Sequence, residues 1–219
     1  MIKAVLFDLD GTIIDTEKYY RKCWPLAAAH FGYKMTDEGA LSLRSLGRPF
    51  APIKLAELLG DENIDYYAIR DYRKEIMEKM IEEEGIAVKP GAVELLTFLR
   101  ENGIQAAVVT ASDIERTERY LGMVGLTEYF DSFISATMVK EGKPSPDVYA
   151  YACRELGLNP DTCLAVEDSP NGISSAKSAG CKVVMVPDQA EPDEETMEKL
   201  DAKVSSLDKI IEIIEKIKR

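Results

Sequence analysis

The chain opens with an apolar run, Val5-Leu6-Phe7, that ends abruptly in Asp8-Leu9-Asp10-Gly11-Thr12. Such a run of β-formers predicts a buried strand delivering acidic groups to its C-terminal edge. Side chains alternate along an extended segment, so Asp8 and Asp10 are expected on one side and Leu9 on the other. From about Asp15 to Glu84 apolar residues recur at helical spacing, which predicts helices over Glu17 to Phe31, Ile53 to Leu59 and Tyr66 to Glu83. Pro90-Gly91 punctuates the return of alternation. The pattern then gives helix (Ala92 to Asn102), strand (Ile104 to Val109), helix (Ile114 to Met123), strand (Ser132 to Ser135) and helix (Pro146 to Leu156). It continues with strand (Cys163 to Val166), helix (Pro170 to Ala179), strand (Lys182 to Val186), an acidic loop with a short helix over Asp188 to Asp201, and a last helix (Leu207 to Ile217). This order predicts an α/β core, a parallel sheet with helices on both faces. An all-helical insertion follows the first strand, joined to the core at Ile13 to Glu17 and Glu82 to Pro90, two crossings that would make a hinge.

At 219 residues and 46% hydrophobic content the chain can bury a full core. A net charge of −12 argues against nucleic acid or an anionic membrane as partner, and an anionic substrate would need local help. Cys23, Cys153, Cys163 and Cys181 show no Cys-x-x-Cys spacing, so reduced thiols are expected rather than disulfides or a zinc site. Asp8 comes too soon for the apolar core of a signal peptide, and no apolar run approaches membrane-spanning length. A cytoplasmic monomer is the expectation. The single histidine, His30, is expected to be structural, near a helix end that Gly32 terminates. A single histidine counts against a histidine zinc site and against a conventional Ser-His-Asp triad.

Three further strand ends carry candidate chemistry. Thr110-Ala111-Ser112 ends the second strand in hydroxyls that can bond a phosphoryl oxygen or cap the next helix; Thr110 is assigned the first role and Ser112 is left open. Lys143, in Gly142-Lys143-Pro144-Ser145-Pro146, could equally be a solvated surface lysine; Ser145 is expected as the helix cap and Pro146 as the first helical residue. Gly142-Lys143 is no P-loop, because Thr137 stands where glycine is required and Pro144 breaks the pattern. Glu167-Asp168 ends another strand before Ser169, and the pair could serve the helix dipole alone. Asp8 to Thr12 could likewise be only a strand end and turn.

Taken together these ends suit phosphoryl transfer. A carboxylate is ionised at neutral pH and can attack phosphorus without a general base. A dianionic phosphate approaching Asp8, Asp10 and Asp168 calls for a hard cation, for which Mg²⁺ is the expectation. Lys143 and Thr110 would supply charge and hydrogen bonds to the phosphoryl oxygens, with the amides of the Gly11 turn and the Thr12 hydroxyl as further donors. Asp10 would protonate the leaving alkoxide and later take a proton from water.

Asp8-Leu9-Asp10-Gly11-Thr12, Thr110, Lys143 and Glu167-Asp168 resemble the four motifs of the haloacid dehalogenase superfamily of phosphotransferases. The likeness covers the whole chain and is strongest for the beta-phosphoglucomutase-like branch, with Asp15-Thr16 and Lys143-Pro144-Ser145-Pro146-Asp147 adding to it. The resemblance implies a Rossmann-like three-layer core over residues 1–15 and 88–219 and a mobile helical cap over 16–87. It implies Asp8 as the phosphorylated nucleophile, Asp10 as acid and base, and Mg²⁺ held by Asp8, the Asp10 carbonyl and Asp168, with Glu167 in or beside that shell. Thr110 and Lys143 would bind the phosphoryl group; Leu9, Gly11, Thr12, Ala111, Ser112 and Asn171 are further candidates for phosphate or substrate contact. Asp10 favours phosphoryl chemistry over dehalogenation, and Arg48 in Leu46-Gly47-Arg48 cannot form a Schiff base, although Lys54 lies nearby. Arg48 could clamp a second phosphate, as in the mutases, or be a solvated loop residue. Tyr20 stands where those mutases place a histidine, which favours a phosphatase acting on a small phosphorylated metabolite, sugar phosphates first, over the mutase. A non-catalytic phosphate-binding module is the reading from another class. Tyr19, Tyr20, Arg48 and Lys54 are the candidates for specificity on the cap.

Overall fold

The computed structural model describes residues 1–218. Six strands form one sheet: β1 (Ala4–Phe7), β2 (Gln105–Thr110), β3 (Ser132–Ser135), β4 (Cys163–Glu167), β5 (Lys182–Met185) and β6 (Ala202–Lys203). Their order is β3-β2-β1-β4-β5-β6, with every pairing parallel. Between β1 and β2 come α1 (Glu17–His30), α2 (Asp37–Ser42), α3 (Phe50–Leu59), α4 (Tyr66–Glu84) and α5 (Ala92–Glu101). The later helices are α6 (Ile114–Met123), α7 (Asp147–Glu155), α8 (Pro170–Ser178), α9 (Glu194–Lys199) and α10 (Ile210–Lys218).

The period of two along the strands sorts their residues between two apolar layers. Val5 and Phe7, Ala106 and Val108, Leu164 and Val166, and Val184 join Leu95 and Leu99 of α5 and Ile210 and Ile214 of α10 on one face. Ala4 and Leu6, Ala107 and Val109, Cys163 and Ala165, and Val183 and Met185 join Tyr149 and Ala152 of α7 and Ile173 and Ala176 of α8 on the other. All four cysteines are free and buried. The sheet is therefore covered on both sides, and chemistry is confined to the C-terminal edge where β1 sits between β2 and β4.

The helices from α1 to α4 have an apolar cluster of their own, built on Trp24, Ala27, Ala40, Leu43, Leu55 and Ile69. The two crossings run beside each other: Ile14 and Val88 form an antiparallel bridge, the Asp15 amide donates to the Ala87 carbonyl at 2.9 Å, and the Lys89 amide to Ile13 at 2.9 Å. A second seam joins the 45–48 loop to the loop after β3. There the Gly47 amide donates to the Lys143 carbonyl at 2.8 Å and the Gly142 amide to the Arg48 carbonyl at 2.7 Å. Both glycines are needed for that approach, since a Cβ on Gly142 would lie 2.7 Å from the Gly47 Cα.

Two elements go beyond the sequence pattern. The α2 helix is too short to show a period and is marked mainly by its cap, Thr36, whose hydroxyl accepts from the Gly39 amide at 3.0 Å. The two-residue β6 follows the acidic segment. The α3 helix begins at Phe50 rather than Ile53, and α7 begins at Asp147 rather than Pro146, which occupies the cap position. His30 ends α1, and Gly32 follows with φ +85°, in the left-handed conformation that lets the chain turn away.

Helix α8 packs onto the end of β4 through a residue with no side chain. A Cβ on Gly172 would fall 2.0 Å from the Glu167 carboxyl carbon. Gly172→Ala should therefore lower stability by about 1–3 kcal/mol through overpacking. The urea midpoint should fall with an unchanged slope, and an unchanged midpoint would refute the packing argument.

Candidate active site

The strand ends converge on a buried lysine. The Asp8 amide donates to Val166 of β4 at 3.0 Å, carrying the β1 ladder one residue further and fixing the Asp8 side chain at the sheet edge. Lys143 is fully buried, so the surface alternative fails. Its three donors are all used: Asp8 Oδ1 at 2.6 Å, Glu167 Oε1 at 2.6 Å and the Val109 carbonyl at 2.9 Å. Glu167 is in turn held by the Tyr149 hydroxyl at 2.7 Å and, through its other oxygen, by Ser169 at 3.3 Å. Burial opposes the charge on Lys143, yet Asp8 and Glu167 together raise its pKa and keep it cationic. Tyr149 gave no sequence signal, because it lies in the apolar face of α7.

Asp10 is held differently. Thr16 donates to its Oδ1 at 2.6 Å, Ser112 to its Oδ2 at 2.7 Å, and the Arg116 guanidinium stands 3.9 Å from Oδ2. The open question over Ser112 is thus decided in favour of orienting Asp10, and Arg116 also donates to the Ser112 hydroxyl. Thr110 Oγ1 accepts from the Ser112 amide at 3.0 Å, leaving its own hydroxyl hydrogen free to donate.

Asp8, Glu167 and Asp168 offer carboxylate oxygens within 4.8 Å of one another, and all three residues are buried. Asp8 Oδ2, both oxygens of Asp168 and the Thr12 hydroxyl have no hydrogen-bond partner. The Asp10 carboxylate is not in this group, consistent with a role for its carbonyl rather than its side chain. A further buried acid, Glu17, was missed by the sequence reading; it packs over Gly11, where a Cβ would meet its Cγ at 2.8 Å. Only its place in the first turn after Asp15-Thr16 could have flagged it. Burial raises the pKa of Asp8 to about 7, with Lys143 opposing and Glu167 and Asp10 adding to the rise. Burial also holds Asp168 and Glu17 well above the usual carboxylate range; among charges, Asp8 adds most for Asp168, and Asp168 for Glu17. Against these acids stand Lys143 and Arg44, the latter 3.5 Å from Asp168 Oδ2. Unpartnered oxygen ligands with a surplus of negative charge fit a hard divalent cation.

The turn amides depart from expectation. Gly11 donates to the Ile14 carbonyl at 2.8 Å and Thr12 to the Leu9 carbonyl at 3.4 Å, so both close the turn instead of facing an anion. The Leu9 side chain lies in the apolar core. Gly11 has φ +85°, and a Cβ there would lie 2.6 Å from Asp168 Oδ2, so the glycine is required by close approach.

A cleft of about 460 Å³ opens in front of Asp8 and Asp10. Thr110, Ala111, Ser112, Tyr20 and Arg48 line it, as do Arg44, Arg73 and Arg116, which the sequence reading did not single out. Asn171 is not on its wall; its amide donates to the Arg44 carbonyl at 2.9 Å and ties the helical segment to α8. Tyr19 points to the crossing, donating to the Gly85 carbonyl at 2.8 Å, and Lys54 pairs with Glu57 at 2.9 Å away from the cleft. Among the described residues, no helix is long and apolar enough to cross a membrane.

The model of the haloacid dehalogenase-like hydrolases matches residues 2–180. Hexitol phosphatase A of Escherichia coli is 33% identical over 208 residues, covering 95% of this chain and 93% of that protein. Fructose-1-phosphate phosphatase of the same organism is 31% identical, over 84% and 95% of the two chains. Among solved structures, beta-phosphoglucomutase from Clostridium difficile superposes with a TM-score of 0.84 at 25% identity, over 99% and 96% of the two chains. The CbbY protein of Rhodobacter sphaeroides in complex with xylulose 1,5-bisphosphate gives 0.78 at 29%, over 95% and 96%. With four motifs at the ends of four strands and a family match over most of its length, the chain belongs to the haloacid dehalogenase-like hydrolases.

Proposed function

We propose that this phosphoric monoester hydrolase acts on a small phosphorylated sugar or polyol, through an aspartyl phosphate on Asp8 and with Mg²⁺ as its cation. The observation that carries the reading is the buried Asp8–Lys143–Glu167 array, in which one nucleophile oxygen is tied at 2.6 Å and the other is unpartnered. Sugar and polyol phosphatases among the relatives support the substrate class.

An Asp8 carboxylate oxygen forms a bond to phosphorus while the ester P–O bond breaks, and the leaving alkoxide takes a proton from Asp10. Water then attacks the acyl phosphate, gives its proton to Asp10, and restores Asp8 with release of inorganic phosphate. Thr16 and Ser112 fix the plane of the Asp10 carboxyl throughout. Lys143 and the Thr110 hydroxyl stabilise the equatorial phosphoryl oxygens. Asp8 and Asp168, with the Asp10 carbonyl, would hold Mg²⁺, and Glu167 serves Lys143 first. The ion supplies Lewis-acid charge that offsets repulsion between the phosphate and the acids. Residues 16–87 act as a cap over a core of 1–15 and 88–219, swinging on the paired crossings at Ile14 and Val88.

The beta-phosphoglucomutase likeness keeps intramolecular transfer as a second reading, since it would pass through the same phosphoenzyme. Product analysis separates the two: phosphate released from hexose, pentose and polyol phosphates supports hydrolysis, and glucose 1-phosphate converted to glucose 6-phosphate without release supports the mutase.

Asp8→Asn should abolish both turnover and a hydroxylamine-labile phosphoprotein; retention of either would remove Asp8 as nucleophile. Gly142→Ala should force the 45–48 loop off its seat and cost up to about 10²-fold in kcat/KM with little change in the unfolding midpoint. An unchanged kcat/KM would argue against closure at this seam. Because burial raises the Asp8 and Asp168 pKa values, Mg²⁺ must displace protons at low pH and binds ionised carboxylates at higher pH. The rise in Tm on adding Mg²⁺ should therefore grow from about pH 5 to about pH 8 and vanish in Asp168→Asn. A rise independent of pH would exclude these acids as the ligands.

A further inference from the structure

Helix α7 turns one side to the sheet and buries Val148, Tyr149, Ala152 and Cys153 among the aliphatic side chains of the second layer. Tyr149 is fully buried, and a phenylalanine would fill the same apolar space. What the tyrosine adds is its oxygen. The hydroxyl reaches past the layer to the C-terminal edge of the sheet and donates to Glu167 Oε1 at 2.7 Å, the oxygen that also accepts from Lys143 at 2.6 Å. The Lys143 ammonium stands 5.2 Å from the centre of the same ring. A phenol has one hydrogen to donate, and here it is given to Glu167.

The three acids within 4.8 Å of one another are therefore unequal. Asp168 presents both oxygens without a hydrogen-bond partner, and Asp8 presents Oδ2. Glu167 is engaged throughout: Oε1 carries two donors, Oε2 accepts from Ser169 at 3.3 Å, and α8 crowds its carboxyl carbon at Gly172. A carboxylate oxygen has two lone-pair sites, so the paired donors fill Oε1 and keep Glu167 from serving as a ligand. Without the phenol hydrogen one buried acceptor site would lack a partner, a deficit that a neighbouring divalent cation would relieve. Glu167 would then join Asp8 and Asp168 as a carboxylate open to that cation. Mg²⁺ and Ca²⁺ respond differently to such a change. Mg²⁺ demands a near-ideal octahedron and keeps several waters, whereas Ca²⁺ accepts about 6–8 oxygens in a flexible shell and gains more from an added carboxylate.

We infer that Tyr149 is a positioning residue for metal choice: by holding Glu167 on Lys143 it limits the carboxylates open to the cation to Asp8 and Asp168, and so selects Mg²⁺ over Ca²⁺. The inference rests on the Mg²⁺ reading of the site. It also gives the stretch from Lys143 to Tyr149 a joint task. The ammonium that orients Asp8 and the hydroxyl that restrains Glu167 are placed together, by the loop that leads into α7 and by the first turns of that helix.

The test is calorimetry with the chlorides of Mg²⁺ and Ca²⁺ on the unaltered protein, on Tyr149→Phe and on Tyr149→Phe combined with Glu167→Gln. Unfolding midpoints in metal-free buffer verify that each variant is folded. The unaltered protein should bind Ca²⁺ no more tightly than Mg²⁺. In Tyr149→Phe the Ca²⁺ Kd should fall by about 5–10-fold while the Mg²⁺ Kd stays within about 2-fold. Adding Glu167→Gln should bring the ratio of the two constants back to within about 2-fold of the unaltered protein, because the third carboxylate is gone. A loss of packing alone would weaken both ions together. A ratio that does not move in Tyr149→Phe overturns the inference, as does tighter binding of Ca²⁺ than of Mg²⁺ by the unaltered protein, a result that needs no variant. If the ratio is unmoved but Asp168→Asn abolishes binding of both ions, the cation site stands without a role for Tyr149. Failure of the unaltered protein to bind either ion would overturn the Mg²⁺ reading and the inference with it.

Discussion

Lys143 is the constraint on which the rest of the site depends. Five carboxyl groups, those of Asp8, Asp10, Glu17, Glu167 and Asp168, are buried at the floor of the cleft. Desolvation alone drives Asp8, Asp168 and Glu17 toward the neutral form, as their raised values attest. One ammonium with three fixed acceptors orients Asp8 and spends Glu167 as a counter-ion rather than as a nucleophile or base. Removing it would leave two buried charges facing each other without compensation, the costliest kind of loss for a buried ion network. Tyr149 and Ser169 then matter because they keep Glu167 in place, and Gly172 because any side chain there would displace it.

The sheet makes this concentration tolerable. Its two apolar layers contain almost nothing but aliphatic and aromatic side chains, so the polar groups are collected at one edge and hydrogen-bonded among themselves. Asp8, Thr110, Glu167 and Asp168 sit at the end of a strand or directly after it, where the ladder fixes the backbone and the side chain is free of the layers. Asp8 illustrates the principle: its amide still belongs to the β1–β4 ladder while its carboxylate has left the sheet. The opposite wall of the cleft comes from helices that have an apolar cluster of their own beside the residues, Tyr19, Cys23, Met77 and Ile81, that they lend to the sheet-side core.

Much of this was legible in the residues. Strand ends bearing Asp8, Thr110, Lys143 and Asp168 follow from hydrophobic runs that stop on polar groups, and the structure brings all four to one edge. What escaped has physical causes. Glu17, Arg73, Arg116 and Tyr149 lie on helices and Arg44 in the turn after α2, where a charged or hydroxylated residue beside an apolar face looks like an ordinary surface position until the partner surface is known. The turn amides at Gly11 and Thr12 were misassigned because sequence identifies a tight turn and not where its N–H groups point; here they close on Ile14 and Leu9. Asn171 was misplaced for a related reason, since a polar residue at a helix start may face the phosphate or the neighbouring segment, and it faces Arg44. The departure at Tyr20, by contrast, was visible from the start, but its meaning depended on Arg73 and Arg116 arriving on its ring from helices 43 positions apart in the sequence.

That convergence bears on how specificity is built in this chain. The reaction proposed at Asp8 and Asp10 needs only a phosphate ester, so discrimination must come from groups that touch the remainder of the substrate. The Arg73 guanidinium is already desolvated and held against the Tyr20 and Trp24 rings, so it has lost much of its rotamer freedom. Arg73 lies in the stripe that packs α4 against α1, so the side chains that pack the helical segment there, Tyr20 and Trp24, are also those that orient the arginine. Substrate choice can then change by substitution on one helix face while the strand ends, and the reaction they support, stay as they are.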